Sequence, residues 1–84
     1  MYKVFLKKSA EKKLFKIPKV YSANIGKHLV ELINNPRPNG CKKLSGYENI
    51  YRIRVGMYRI VYQIEDEILY IEVIKIGHRK DIYR

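Results

Sequence analysis

The side chains best suited to chemistry lie in two places, the stretch "YRIRVGMYRIVY" at 51–62 and the end of the chain, "IGHRKDIYR". The first holds Arg52, Arg54 and Arg59 within twelve residues. A guanidinium keeps its charge at any ordinary pH and presents a rigid fork of donors that matches phosphate oxygens, so arginines brought together make an anion site. The second adds His78, Arg79, Tyr83 and Arg84. Imidazole exchanges a proton near neutral pH, arginine can stabilise a crowded phosphorane, and a tyrosine ring can stack on a base. The same tail also reads as a frayed basic terminus, and sheet surfaces carry arginine for solubility.

Whether the arginines meet depends on strand register. Val55-Gly56-Met57-Tyr58 places glycine at the first central position of a two-residue II′ turn. Val55 then faces Tyr58, which sets Arg54 directly opposite Arg59 and Arg52 opposite Val61. Because side chains alternate along a strand, these arginines share one face, and Tyr51, Ile53, Val55, Tyr58, Ile60 and Tyr62 share the other. Like charges directly opposite one another cost stability, which a purely structural surface has no reason to accept. The arginines are expected to line an uncovered face. Pairing Tyr62 with Leu69 across the turn "EDE" would put Glu72 opposite Arg59, where its carboxylate could orient that guanidinium.

The surrounding elements must hold this hairpin. "YKVFL" (2–6) reads as a first strand, followed by a short helix capped by Ser9, with Ala10, Leu14 and Ile17 at helical spacing before Pro18. Tyr21, Ile25, Leu29, Leu32 and Ile33 form a second helical stripe that ends at "NNPRPNG". From Cys41 the period changes to two, giving "CKKL", "NIYRIRV", "MYRIVYQI" and "EILYIEVIKI" as strands. The expected fold is α+β, a two-helix hairpin packed on a mainly antiparallel, curved β-sheet in the order βααββββ, as one domain over residues 1–84.

Composition bounds the partners. Eighteen Lys and Arg against eight Asp and Glu give a formal net charge of +10, which favours a polyanion such as nucleic acid. No stretch approaches membrane-spanning length and no basic helix carries large apolar anchors, so a membrane partner is not expected. A single cysteine, Cys41, excludes an internal disulfide and a cysteine-based zinc site, fits a reducing cytoplasm, and reads as a small buried apolar residue. No metal or cofactor is expected. His28, at the edge of the second helix stripe, reads as a surface or packing histidine, and Glu65, Asp66 and Glu67 as a solvated turn.

With "SAEKKLFKIP", "LSG", "YRIRVGMYRIVY" and "GHRKDIY" in this order, the chain resembles the RelE branch of the RelE/ParE toxin superfamily over essentially its whole length. The resemblance implies the toxin of a type II toxin-antitoxin pair, a ribosome-dependent mRNA interferase that cuts the codon in the ribosomal A site. The chemistry implied is metal-independent attack of a ribose 2′-OH on the adjacent phosphate. On the matching positions, Arg52, Arg54 and Arg59 would hold the phosphate and its developing charge, His78 or Tyr83 would transfer protons, and Arg79 would lie near the leaving group; Arg84 would add an RNA contact. The best-studied members carry lysines on the central strand, one of them proposed as general base, and an arginine at position 54 cannot readily take that role. The implied partners are an acidic RelB-like antitoxin, mRNA and the ribosome, with operator DNA reached only through the antitoxin. Two other readings stay open: a ParE-like poison of DNA gyrase, and an inactive module that only binds RNA or the ribosome.

Overall fold

The computed structural model of the chain describes residues 1–80. Its centre is a hairpin of β3 (Ile50–Val55) and β4 (Tyr58–Glu65), closed by Gly56 at φ 60°. Met57 does not share the positive φ, which is the backbone pattern of a II′ turn. The ladder pairs Val55 with Tyr58, Arg54 with Arg59 and Arg52 with Val61, the register expected from the glycine.

Strand β5 (Tyr70–His78) pairs antiparallel with β4 and parallel with β1 (Lys3–Leu6), while the two-residue β2 (Lys42–Lys43) pairs with the outer side of β3. The sheet order is β1-β5-β4-β3-β2, and the parallel β1–β5 contact is the exception in an otherwise antiparallel sheet. Helices α1 (Lys8–Lys16) and α2 (Lys19–Leu32) form the expected α-hairpin. Ile17 between them is extended at φ -79° and ψ 135°, as a residue before proline must be. No helix is long and apolar enough to cross a membrane.

One face of the sheet carries the core. Ile53, Val55, Ile60, Tyr62, Ile64, Ile71, Val73 and Ile76 pack against Ala10, Ile17, Ile25, Leu29 and Leu32 of the helical layer. Burying each large aliphatic side chain contributes about 1.5–3 kcal/mol, so this layer holds the helices on the sheet, and no helix among the described residues covers the opposite face. Tyr21 lies at the rim instead, its ring 5.7 Å from that of Tyr58, and Cys41 is half-buried at the core's edge.

Two local expectations are corrected. Ser9 is not the α1 cap. The Lys7 N–H still bonds to Val73 O at 2.9 Å, so the chain passes from strand pairing straight into the helix with Lys7 at its start and Ser9 inside the first turn. The β4–β5 register also differs. Asp66–Ile68 form a 3-10 turn and Leu69 takes a left-handed conformation, so Glu65 pairs with Tyr70 and Glu72 lies opposite Gln63, away from Arg59.

Candidate nucleic-acid interface

A bulge in β5 decides what meets the arginines. Tyr62 pairs with Val73 but Val61 with Lys75, leaving Ile74 as an extra residue and reversing the alternation beyond it. Gly77 therefore stands opposite Arg59, at the place where Glu72 was expected. Gly77 is buried, and a Cβ built on it would meet no atom of the described residues within 4 Å beyond its chain neighbours.

Arg52, Arg54 and Arg59 share the helix-free face, but that face is not simply open. Arg54 is exposed, whereas Arg52 and Arg59 are only 6% and 7% exposed. Strand alternation specifies the face of a side chain and not the depth to which its long stem is covered. The Nε of Arg52 is buried with no hydrogen-bond partner among the described residues. A buried charged donor in that condition is costly unless something accepts from it, which is what a ligand oxygen does.

The bulge divides the C-terminal pair. Arg79 continues the ladder past the strand end, its N–H bonding to Met57 O at 2.9 Å, in phase with Gly77 and Arg59. His78 is one residue out of phase, paired with Tyr58 on the helix side of the sheet, with the two rings edge to face at 5.9 Å. Its Nδ1 accepts the Lys80 N–H at 3.2 Å, so the neutral ring carries its proton on Nε2. In this arrangement His78 offers a donor. Tyr83 and Arg84 lie outside the described residues.

A groove of about 530 Å³ runs over the edge of β3 beyond the short β2 strand. Lys42, Arg52 and Arg54 line it from the strands, His28 and Glu31 from α2, and Pro38, Asn39 and Gly40 from the segment before β2. His28 donates from Nδ1 to Asn24 O at 2.9 Å, leaving Nε2 of the neutral ring as an acceptor. His28 and Glu31 were not expected at the site. Their spacing, three apart on one helix, places them on one flank, but only the packing of α2 on the sheet brings that flank to the strand edge.

The segment that carries Pro38, Asn39 and Gly40 into the groove is held by contacts outside it. Arg37 makes a two-pronged contact with Asp66, Nη2 to Oδ2 at 2.7 Å and Nη1 to Oδ1 at 3.2 Å, and its Nε donates to the Tyr51 hydroxyl at 3.2 Å. Tyr2 donates to the same carboxylate at 2.6 Å. The hydrogen bonds from Arg37 and Tyr2 hold the Asp66 carboxyl below the usual carboxylate range. Tyr62, fully buried, donates to Pro36 O at 2.8 Å, and burial pushes its phenol well up. Nor is the acidic turn simply solvated: besides the Asp66 contacts, Glu65 accepts from Asn49 at 3.0 Å and Gln63 at 2.6 Å.

Comparison with known proteins places this geometry in a family. Residues 4–83 match the family described as ParE toxin of type II toxin-antitoxin system, parDE. A RelE-like toxin protein of Escherichia coli is 34% identical over 86 residues, spanning 98% of this chain and 90% of that one. The mRNA interferase toxin RelE of Escherichia coli K12 is 39% identical over 56 residues, spanning 64% of this chain and 58% of that one. The toxin in the crystal structure of the archaeal RelE-RelB complex from Pyrococcus horikoshii superposes with a TM-score of 0.85 at 27% identity, covering 95% of this chain and 97% of that one. Matching over nearly their full length in both sequence and fold, the chain belongs to the RelE/ParE toxin superfamily, in its RelE-like branch.

Proposed function

We propose that this toxin is a ribosome-dependent mRNA interferase that cleaves mRNA in the ribosomal A site. The observation that carries the reading is the arginine face: Arg54 directly opposite Arg59, with Arg52 in phase beside them, in a RelE-like chain. In the reaction, the 2′-OH attacks the adjacent phosphorus, the P–O5′ bond breaks, and the products end in a 2′,3′-cyclic phosphate and a 5′-OH. The 2′-OH proton goes to a base and the 5′-oxygen receives one. Arg52, Arg54 and Arg59 hold the non-bridging oxygens, where fixed cations count most as negative charge builds. Arg79 lies beside the leaving oxygen. Taking a proton at Nδ1 would require His78 to release the Lys80 N–H, and its ring lies on the helix side of the sheet against Tyr58, so Tyr83 is the proton-transfer residue. No metal takes part.

The toxin acts in the cytoplasm, where its target is. Its regulator is an acidic RelB-like antitoxin, in line with the net charge of +10 and with the RelE-RelB complex of Pyrococcus horikoshii, and operator DNA is reached only through that antitoxin. The test is translation of a reporter mRNA on purified ribosomes with wild-type, Arg59→Ala, Arg79→Ala and Tyr83→Phe proteins. Loss of A-site cleavage in the variants is expected; undiminished cleavage in all three overturns the reading.

The match to a family described by ParE favours one other reading, poisoning of DNA gyrase. Accumulation of cleaved plasmid DNA with purified gyrase, without mRNA cleavage on ribosomes, would select it.

A further inference from the structure

The groove at the edge of β3 lies next to the arginine face but runs away from it, towards α2, and the transfer reaction described above makes no use of its far wall. Its two sides differ in chemistry. Lys42, Arg52 and Arg54 supply cations, and Arg52 brings a buried Nε that has no acceptor among the described residues. On the α2 side, Glu31 forms no ion pair among the described residues, and the His28 tautomer leaves Nε2 as a second acceptor. Asn39 adds an amide that both donates and accepts. One wall suits a phosphate, and the other suits a group that donates hydrogen bonds.

We propose that this groove is a subsite for a single ribonucleotide flanking the scissile phosphate, with its phosphate on Arg52 and Lys42 and its base turned to Glu31 and His28. The proposal rests on the reading of the arginine face as an RNA site. The size agrees, since about 530 Å³ lies within the range of small-molecule pockets and is ample for one nucleotide. Single-stranded RNA is read in this way, by unstacked bases hydrogen-bonded along their Watson–Crick edges. A carboxylate only accepts, so Glu31 favours bases bearing an exocyclic amino group over uracil, which has a carbonyl at the corresponding position. Cytosine and uracil differ at that ring position by amino against carbonyl, with nearly the same size. They differ also at N3, an acceptor in cytosine and an N–H donor in uracil, so it is the comparison with Glu31→Ala that isolates the carboxylate.

The experiment is a titration of the whole toxin, without ribosomes, with CMP, UMP and inorganic phosphate, read by amide chemical shifts of the groove residues. CMP should bind at least fivefold more tightly than UMP, and both more tightly than phosphate. Glu31→Ala, at an exposed helix position where alanine preserves the fold, should remove the preference while leaving phosphate binding unchanged. Equal binding of CMP and UMP, or CMP binding that Glu31→Ala leaves intact, overturns the subsite. The mRNA-cleavage reading is judged separately: a toxin that discriminates CMP from UMP but cuts nothing on ribosomes retains the subsite and loses the reaction, and the reverse result does the opposite.

Discussion

Arg54 and Arg59 are direct cross-strand partners on the helix-free face, two like charges held opposite one another by the Gly56 turn. Such a pair destabilises the hairpin by about 0.2–1 kcal/mol relative to a neutral pair. Because Arg54 is exposed and Arg59 is almost fully buried, the strain can be relieved at Arg54 without opening the core.

Arg54→Thr should therefore raise stability and lower activity together. Threonine suits a strand and removes the repulsion, so the urea midpoint should rise and Tm should increase by up to several degrees for a domain of this size. A-site cleavage should fall at least tenfold. A variant no more stable than wild type, or one with full cleavage, would show that the pair is not an anion site maintained at the expense of stability.

Gly77→Ala tests the space opposite Arg59. With nothing among the described residues within 4 Å of the added methyl, replacing glycine in a strand should stabilise by about 0.5–1 kcal/mol. The methyl would stand on the arginine face opposite Arg59, where the proposed reaction brings the scissile phosphate. The expected outcome is a protein at least as stable by denaturation that cleaves at least fivefold more slowly on ribosomes. Unchanged cleavage would place the phosphate elsewhere.

How much of this was legible in the sequence depended on whether a signal was local. Gly56 fixed the β3–β4 register outright, because a two-residue turn leaves no freedom in pairing. The next turn was not legible: it is closed by Leu69 in a left-handed conformation at φ 51°, which leucine gives no reason to expect, and the bulge at Ile74 then shifts the phase of everything beyond it. Those two features moved Glu72 away from Arg59, brought Gly77 to it, and sent His78 to the helix side. The core stripe Ile25, Leu29, Leu32 was readable because helical spacing is local. His28 and Glu31 as groove residues were not, since their role depends on where α2 sits relative to a strand edge more than twenty positions away in the chain.

The Arg37–Asp66 contact predicts an acid-sensitive anchor. Asp66 is depressed in the folded state and titrates near 3.9 when unfolded, so its contribution is fully present above the unfolded value and is lost as pH falls through the lower, folded one. Arg37 keeps its charge throughout. Urea midpoints of wild type and Asp66→Asn should differ by a constant amount above about pH 5 and converge below pH 4. A gap that persists undiminished at low pH would show that the carboxylate's charge contributes nothing.

Tyr62→Phe separates the anchor from the core. The ring is fully buried and would remain so, while the hydroxyl bond to Pro36 O is lost, at a net cost of about 0.5–1.5 kcal/mol. Because that bond ties the 34–40 segment to β4, amide exchange at Asn39 and Gly40 should accelerate more than exchange in β4 itself. The same segment lines the groove through Pro38, Asn39 and Gly40, so CMP affinity should fall in Tyr62→Phe while phosphate affinity holds. Uniform acceleration of exchange across the sheet would mean instead that the hydroxyl supports the whole fold, and that the segment is held in place by the Arg37–Asp66 contact.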